Sequence, residues 1–163
     1  MSTPTPEQRL AELGLAVPEV AKPVAAYVPA VRTGSLVYTS GQLPMRGGEL
    51  IVTGKVGGEV TVEEAVECAQ QCALNALAAI NAQLGDAGLS GIARIVKVVV
   101  FVASTPDFTG QPQVANGASE LFGTVFGDAG VHARSAVGVP SLPLDAPVEV
   151  EVIAEVVPGI AGA

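Results

Sequence analysis

Few side chains in this 163-residue sequence could carry chemistry, and the best of them lie near its C-terminal end. Arg134 stands just ahead of the apolar run Ala136–Val139. A guanidinium flanked by apolar strand sequence needs an anion, because taking its charge out of water alone is costly. Its planar fork suits a carboxylate held through two parallel hydrogen bonds. That anion could be an external ligand or one of the chain's own acids, Glu149 and Glu151 included, and spacing leaves both open. Glu149 and Glu151 are two apart, so they share one face of a strand while Val148, Val150 and Val152 share the other. This alternation fits a solvent-facing polar edge. The other reading is one glutamate in a cleft, accepting a proton from water.

The remaining candidates carry less. Ser40 lies in Thr39-Ser40-Gly41-Gln42, which is not the G-x-S-x-G of a nucleophile elbow. His132 is the sole histidine, so a Ser-His-Asp triad would need Ser40 or Ser135 beside it. Ser135 is too close in sequence to serve, and the triad is discounted. Cys68 and Cys72 fall four apart on a predicted helix with no further cysteine to complete a zinc site, and they are expected to be reduced, half-buried thiols. The sequence holds no phosphate loop, dinucleotide fingerprint or metal-ligand cluster, so neither a cofactor nor a metal is expected.

Charge narrows the partners. A net charge of −8 and a pI near 4.5 repel phosphate backbones and anionic membranes, and the eight Lys and Arg form no basic cluster. Nucleic acid and membrane are therefore disfavoured. The opening MSTPTPEQRL has no apolar core after a basic start, and the uncharged stretch Cys68–Gly85 is interrupted by Gln70, Gln71, Asn75, Asn81 and Gln83. The expectation is a cytoplasmic protein without a membrane span. A mean hydropathy of +0.49 is high for a soluble monomer and points to apolar surface buried between subunits.

The elements that must position these residues can be read from local signals. The length suits one domain. Thr5-Pro6-Glu7-Gln8 has the form of a capped helix start, and Gly14 ends that helix. Ala25–Val31 and Leu36–Ser40 form a predicted hairpin about Arg32-Thr33-Gly34-Ser35. Residues 45–60 carry five glycines and are expected to be a loop with at most one short strand. Thr61-Val62-Glu63-Glu64 is a capping box, followed by apolar residues at helical spacing as far as Leu84, with Gly85 as a stop. Ile92–Ala103 is almost continuously apolar and predicts a central strand, with Arg94 and Lys97 near its wet start. Val114, Ala118, Leu121, Phe122 and Val125 predict a second helix, weakened by Gly117 and Gly123. Strands follow near Ser135–Val139 and Val148–Val156, divided by Pro140–Pro147. Right-handed crossovers would put both helices on one face of a mixed sheet, giving a two-layer α+β domain. The other face has no helix to cover it, and its apolar strands argue for another subunit.

Several separate stretches resemble one family. Arg134-Ser135, Leu142-Pro143, Val148-Glu149-Val150-Glu151 and Ile153-Ala154 are similar to the C-terminal signature of the RidA (YjgF) enamine/imine deaminases, also described as L-PSP endoribonucleases. Tyr38–Pro44 resembles that family's N-terminal motif, Val96–Val102 its central strand, and Asn116 with Glu120-Leu121-Phe122 its second helix. The resemblance spans roughly residues 24–156 and leaves an N-terminal extension of about residues 1–23.

The resemblance implies a chorismate-mutase-like fold and a homotrimer with clefts between subunits. The implied reaction is cofactor-free hydrolysis of 2-imino acids, or their enamine tautomers, to 2-keto acids and ammonium. Carried over by position, Arg134 would clamp the substrate carboxylate and Glu149 would activate water, with Glu151 its outward-facing neighbour. The backbone around Gly41 and Ala136 would line the cleft, with Tyr27, Ser40 and Asn116 in support. The sequence departs from the family's pattern at Ala25-Ala26 before Tyr27, where Gly-Pro is common. It departs again at Ala136, where Cys or Thr is common. Two other readings remain: a non-catalytic trimer binding small carboxylates through Arg134, and an endoribonuclease, which the acidic balance disfavours.

Overall fold

The alternating valines of the last strand set the frame of the molecule. The computed structural model describes residues 2–23 and 25–163; Met1 of the extension and Val24, where the resemblance begins, lie outside these. Its strands are β1 (Ala30–Thr33), β2 (Leu36–Thr39), β3 (Met45–Arg46), β4 (Glu49–Leu50), β5 (Ile92–Ala103), β6 (Ala133–Val139) and β7 (Val148–Val156). The helices are α1 (Pro6–Glu12), α2 (Val62–Asn81) and α3 (Gln111–Phe126). Five strands form one sheet in the order β1-β2-β7-β5-β6, and β3 and β4 make a separate two-stranded ribbon. Only β5 and β6 run parallel; the other neighbours are antiparallel. Among the described residues no helix is long and apolar enough to cross a membrane.

The predicted two-layer arrangement is present, with α2 and α3 packed on each other and on one face of the sheet. Val148, Val150, Val152, Ala154 and Val156 of β7 are buried there, with Val98, Val100 and Val102 of β5. Alanines at 65, 69, 73, 76 and 79 bring α2 close to the strands. Both predicted capping boxes are formed: Thr5 and Gln8 bond reciprocally at the start of α1, Thr61 and Glu64 at the start of α2.

Four boundaries differ from the sequence reading. The first strand starts at Ala30 rather than Ala25, because the chain turns tightly where the Tyr27 amide donates to the Ala25 carbonyl and Pro29 follows. Residues 45–60 supply the β3–β4 ribbon, turned by Gly47 and Gly48 at positive φ. Helix α2 stops at Asn81, four residues before Gly85. The middle strand of the sheet is β7; β5 lies between it and the edge strand β6.

Among the described residues no helix packs on the opposite face of the sheet. Glu149, Glu151, Ile153 and Glu155 point there from β7, level with Phe101, Val99, Lys97 and Arg94 of β5. Val31, Tyr38 and Val137 also point there and are exposed.

Candidate functional site

The predicted site residues fall into two groups, one on each face of the sheet. Arg134 pairs with Val98, which is buried under the helices, so in this parallel ladder its side chain leaves on the helix side. There Nη1 donates to Oδ1 of Asn116 at 2.8 Å and to Oγ of Ser119 at 3.1 Å, both on α3. Ala136 follows two residues on, on the same face and half-buried against the core. Among the described residues the one salt bridge is Arg46–Glu67, so Arg134 is paired with neither Glu149 nor Glu151. Its Nε and Nη2 make no hydrogen bond to the described chain.

Glu149 belongs to the second group. It pairs with Phe101 and points to the uncovered face. Gln42 and Val150 exchange backbone hydrogen bonds at 2.8 and 3.0 Å, which lays Gly41 alongside Glu149. The approach is so close that a Cβ on Gly41 would overlap the Glu149 carboxylate. Ser40 joins the same group: its hydroxyl donates to the Val28 carbonyl at 2.6 Å, next to the exposed Tyr27. Burial and the neighbouring Glu151 push the Glu149 carboxyl above the usual carboxylate range.

Two strands and three residues of register separate Arg134 from Glu149. At about 4.8 Å per strand and 3.3 Å per residue, their backbones are roughly 14 Å apart. With the side chains leaving opposite faces, one chain cannot bring the two groups together around a small molecule.

Two residues that the sequence reading missed join the Arg134 group. Ser119 lies three residues after Asn116 on α3, and its Oγ is 3.0 Å from Nε2 of His132. His132 lies two residues before Arg134, and its Nδ1 is 2.6 Å from the Gly130 carbonyl oxygen. The available signal was spacing: i, i+3 on a helix, and i, i+2 in extended chain leading into β6, each give a shared face. The cysteines take no part. Cys68 and Cys72 are free and fully buried rather than half-buried, and desolvation pushes the Cys68 thiol up to about 12 and Cys72 well above its ordinary value.

The profile of the family described as "Endoribonuclease L-PSP" matches residues 18–156, most of the chain and both groups of site residues. The chain belongs to that family, the YjgF/RidA family. It is 45% identical over 147 residues to protein TCP17 of Trypanosoma cruzi, covering 90% of this chain and 91% of the relative. It is 37% identical over 131 residues to the 2-iminobutanoate/2-iminopropanoate deaminase of Salmonella typhimurium, covering 80% and 88%. Among solved structures, the crystal structure of Atu1372 from Agrobacterium tumefaciens, a protein of unknown function, superposes with a TM-score of 0.85 at 47% identity, covering 93% and 92%. Escherichia coli TdcF with bound serine gives a TM-score of 0.61 at 25% identity, covering 84% and 93%. The YjgF-like α+β fold is thus shared across the family, and α1 lies outside the matched residues.

Proposed function

We propose that the protein hydrolyses 2-imino acids, or their enamine tautomers, to 2-keto acids and ammonium, in clefts where the Arg134 group of one subunit meets the Glu149 group of the next in a homotrimer. The observation that carries this reading is the state of Arg134: a half-buried guanidinium held on one edge by two neutral oxygens, with no carboxylate partner among the described residues. Such a group is ready for the carboxylate of a ligand. TdcF, of the same fold, was solved with serine, itself a small carboxylate. The deaminase of Salmonella typhimurium supports the reaction class.

The chemistry needs little machinery. The imine carbon is already electrophilic, so orientation and one base suffice. Arg134 and Asn116 hold the substrate's carboxylate end. The Glu149 carboxylate takes a proton from water as the water oxygen bonds to the imine carbon and hands it to the imine nitrogen, giving a neutral carbinolamine. Glu149 then takes the carbinol hydroxyl proton as the C=O bond forms and passes it to the amine, so the C–N bond breaks to leave the keto acid and ammonia, the ammonia taking a solvent proton. A carboxyl held above its ordinary range is better matched to accepting and returning that proton near neutral pH. Ala136 favours a second reading, binding without turnover, because it brings no polar side chain to the cleft.

The test generates aliphatic, polar and aromatic 2-imino acids in situ with an amino-acid oxidase and follows keto-acid release. The protein should accelerate release, and Arg134→Ala should abolish the effect while leaving the oligomer intact. No acceleration across the panel contradicts hydrolysis; keto acids that still raise the melting temperature would then support the second reading.

A further inference from the structure

We infer that His132 and Ser119 are positioning residues, forming a relay from the Gly130 carbonyl that locks the Arg134 guanidinium in its clamping orientation. The inference rests on the reading of Arg134 as a carboxylate clamp.

The direction of each hydrogen bond follows from the one before. The Gly130 carbonyl oxygen can only accept, so at 2.6 Å the His132 Nδ1 must carry the proton. In a neutral ring Nε2 is then bare and must accept, so at 3.0 Å the Ser119 hydroxyl is the donor. Ser119 Oγ is left with lone pairs, and one takes a hydrogen of Arg134 Nη1 at 3.1 Å. Asn116 Oδ1 takes the other at 2.8 Å. Both Nη1 hydrogens are thus committed to α3, while Nε and Nη2 remain along the edge that grips a carboxylate side-on. Had the ring carried its proton on Nε2, Ser119 would have received a hydrogen from both sides.

The frame around the relay is stiff. The Phe122 ring, itself fully buried, meets the imidazole edge to face at 5.8 Å and 89°. Gly130 delivers its carbonyl by lying against α3 so closely that a Cβ would collide with the Phe122 carbonyl. Burial and the positive charge of Arg134 hold His132 below its ordinary pKa, against the hydrogen bond to Gly130, which keeps the ring in the neutral form the relay needs. A cavity of about 270 Å³ lined by Ser119, His132 and Arg134 opens beside these groups, so the relay forms the wall of a recess.

The test combines binding, kinetics and a spectroscopic readout on the full-length protein. The probe is 2-oxobutanoate, with Kd measured by calorimetry and KM and kcat taken from the imine assay. Ser119→Ala and His132→Asn should each weaken binding about tenfold and raise KM alike with kcat retained, because a looser clamp loses ground-state and transition-state binding together. His132→Gln should restore most of the affinity, since its amide oxygen reaches the Nε2 position and can accept from Ser119; the Asn amide cannot. Ser119→Thr should do the same. A histidine rescued by neither amide, or variants that bind like wild type, would overturn the inference. Because His132 is the only histidine, nitrogen NMR reads its tautomer without any activity. A bare Nε2 is expected, and a proton on Nε2 overturns the relay whatever the assays show. Wild-type protein that binds the keto acid without turnover would contradict the hydrolytic reading and leave the relay to be judged by Kd and tautomer.

Discussion

Gly41 shows how closely one half of the proposed site is fitted. A Cβ there would meet Cδ of Glu149 at 2.7 Å and Cγ at 3.1 Å, and would overlap the carboxylate itself. The obstructed group is the end of a flexible side chain, and the Gly41 backbone is outside the left-handed region, so the fold can absorb Gly41→Ala. Glu149, the base of the proposed mechanism, would then lose its place. Turnover should fall by about 100-fold with the melting temperature nearly unchanged, since misplacement by about 1 Å has that effect. Glu151 sets a second residue-level outcome. Its negative charge is one cause of the raised Glu149 carboxyl, so Glu151→Gln should lower the pKa of Glu149. Glu149 must be ionised to accept a proton, and the acid limb of kcat/KM should therefore move to lower pH in this variant. At this scale Arg134 stood out in the sequence by its type and place, whereas Glu149 was told apart from Glu151 only through the family resemblance. Ser119 and His132 did not stand out, since each is unremarkable until α3 is laid over β6.

Among the elements, the α2–α3 contact depends on one missing side chain. Gly117 looked like a weakness in α3, and in an exposed helix alanine would be favoured there by about 1 kcal/mol. Here a Cβ would run into the Val66 carbonyl and lie 3.2 Å from the Ala69 Cβ, so the helices would have to separate. Gly117→Ala should destabilise the fold by about 1–3 kcal/mol, the usual effect of overpacking, as read by urea unfolding. Capping boxes and unbroken β-branched runs made α1, α2 and β5 legible, because those signals are local. The β3–β4 ribbon and the start of β1 were not, because two-residue strands and a bend before Pro29 depend on what the chain packs against.

Across the whole molecule the two groups of candidate residues do not meet within one chain. An uncovered sheet face was foreseen from the helix count, which left one face without cover; that Glu149 and the exposed Val31, Tyr38 and Val137 lie on it comes from the structure. The division between faces was not foreseen, because it depends on register. A slip of one residue in β6 would turn Arg134 to the other side, and nothing in the sequence of β6 alone fixes that choice. The division makes a second copy of the chain part of the proposed site, so two inactive variants should repair one another. Mixing Arg134→Ala and Glu149→Gln subunits in equal amounts and reassembling them tests this most directly. In a trimer about three quarters of the assemblies are mixed, and each mixed assembly regains one intact cleft in three. Imine hydrolysis should therefore recover to about one quarter of wild type, while either variant alone stays inactive. Mixed assemblies that form and remain as inactive as their parents would contradict a site shared between subunits.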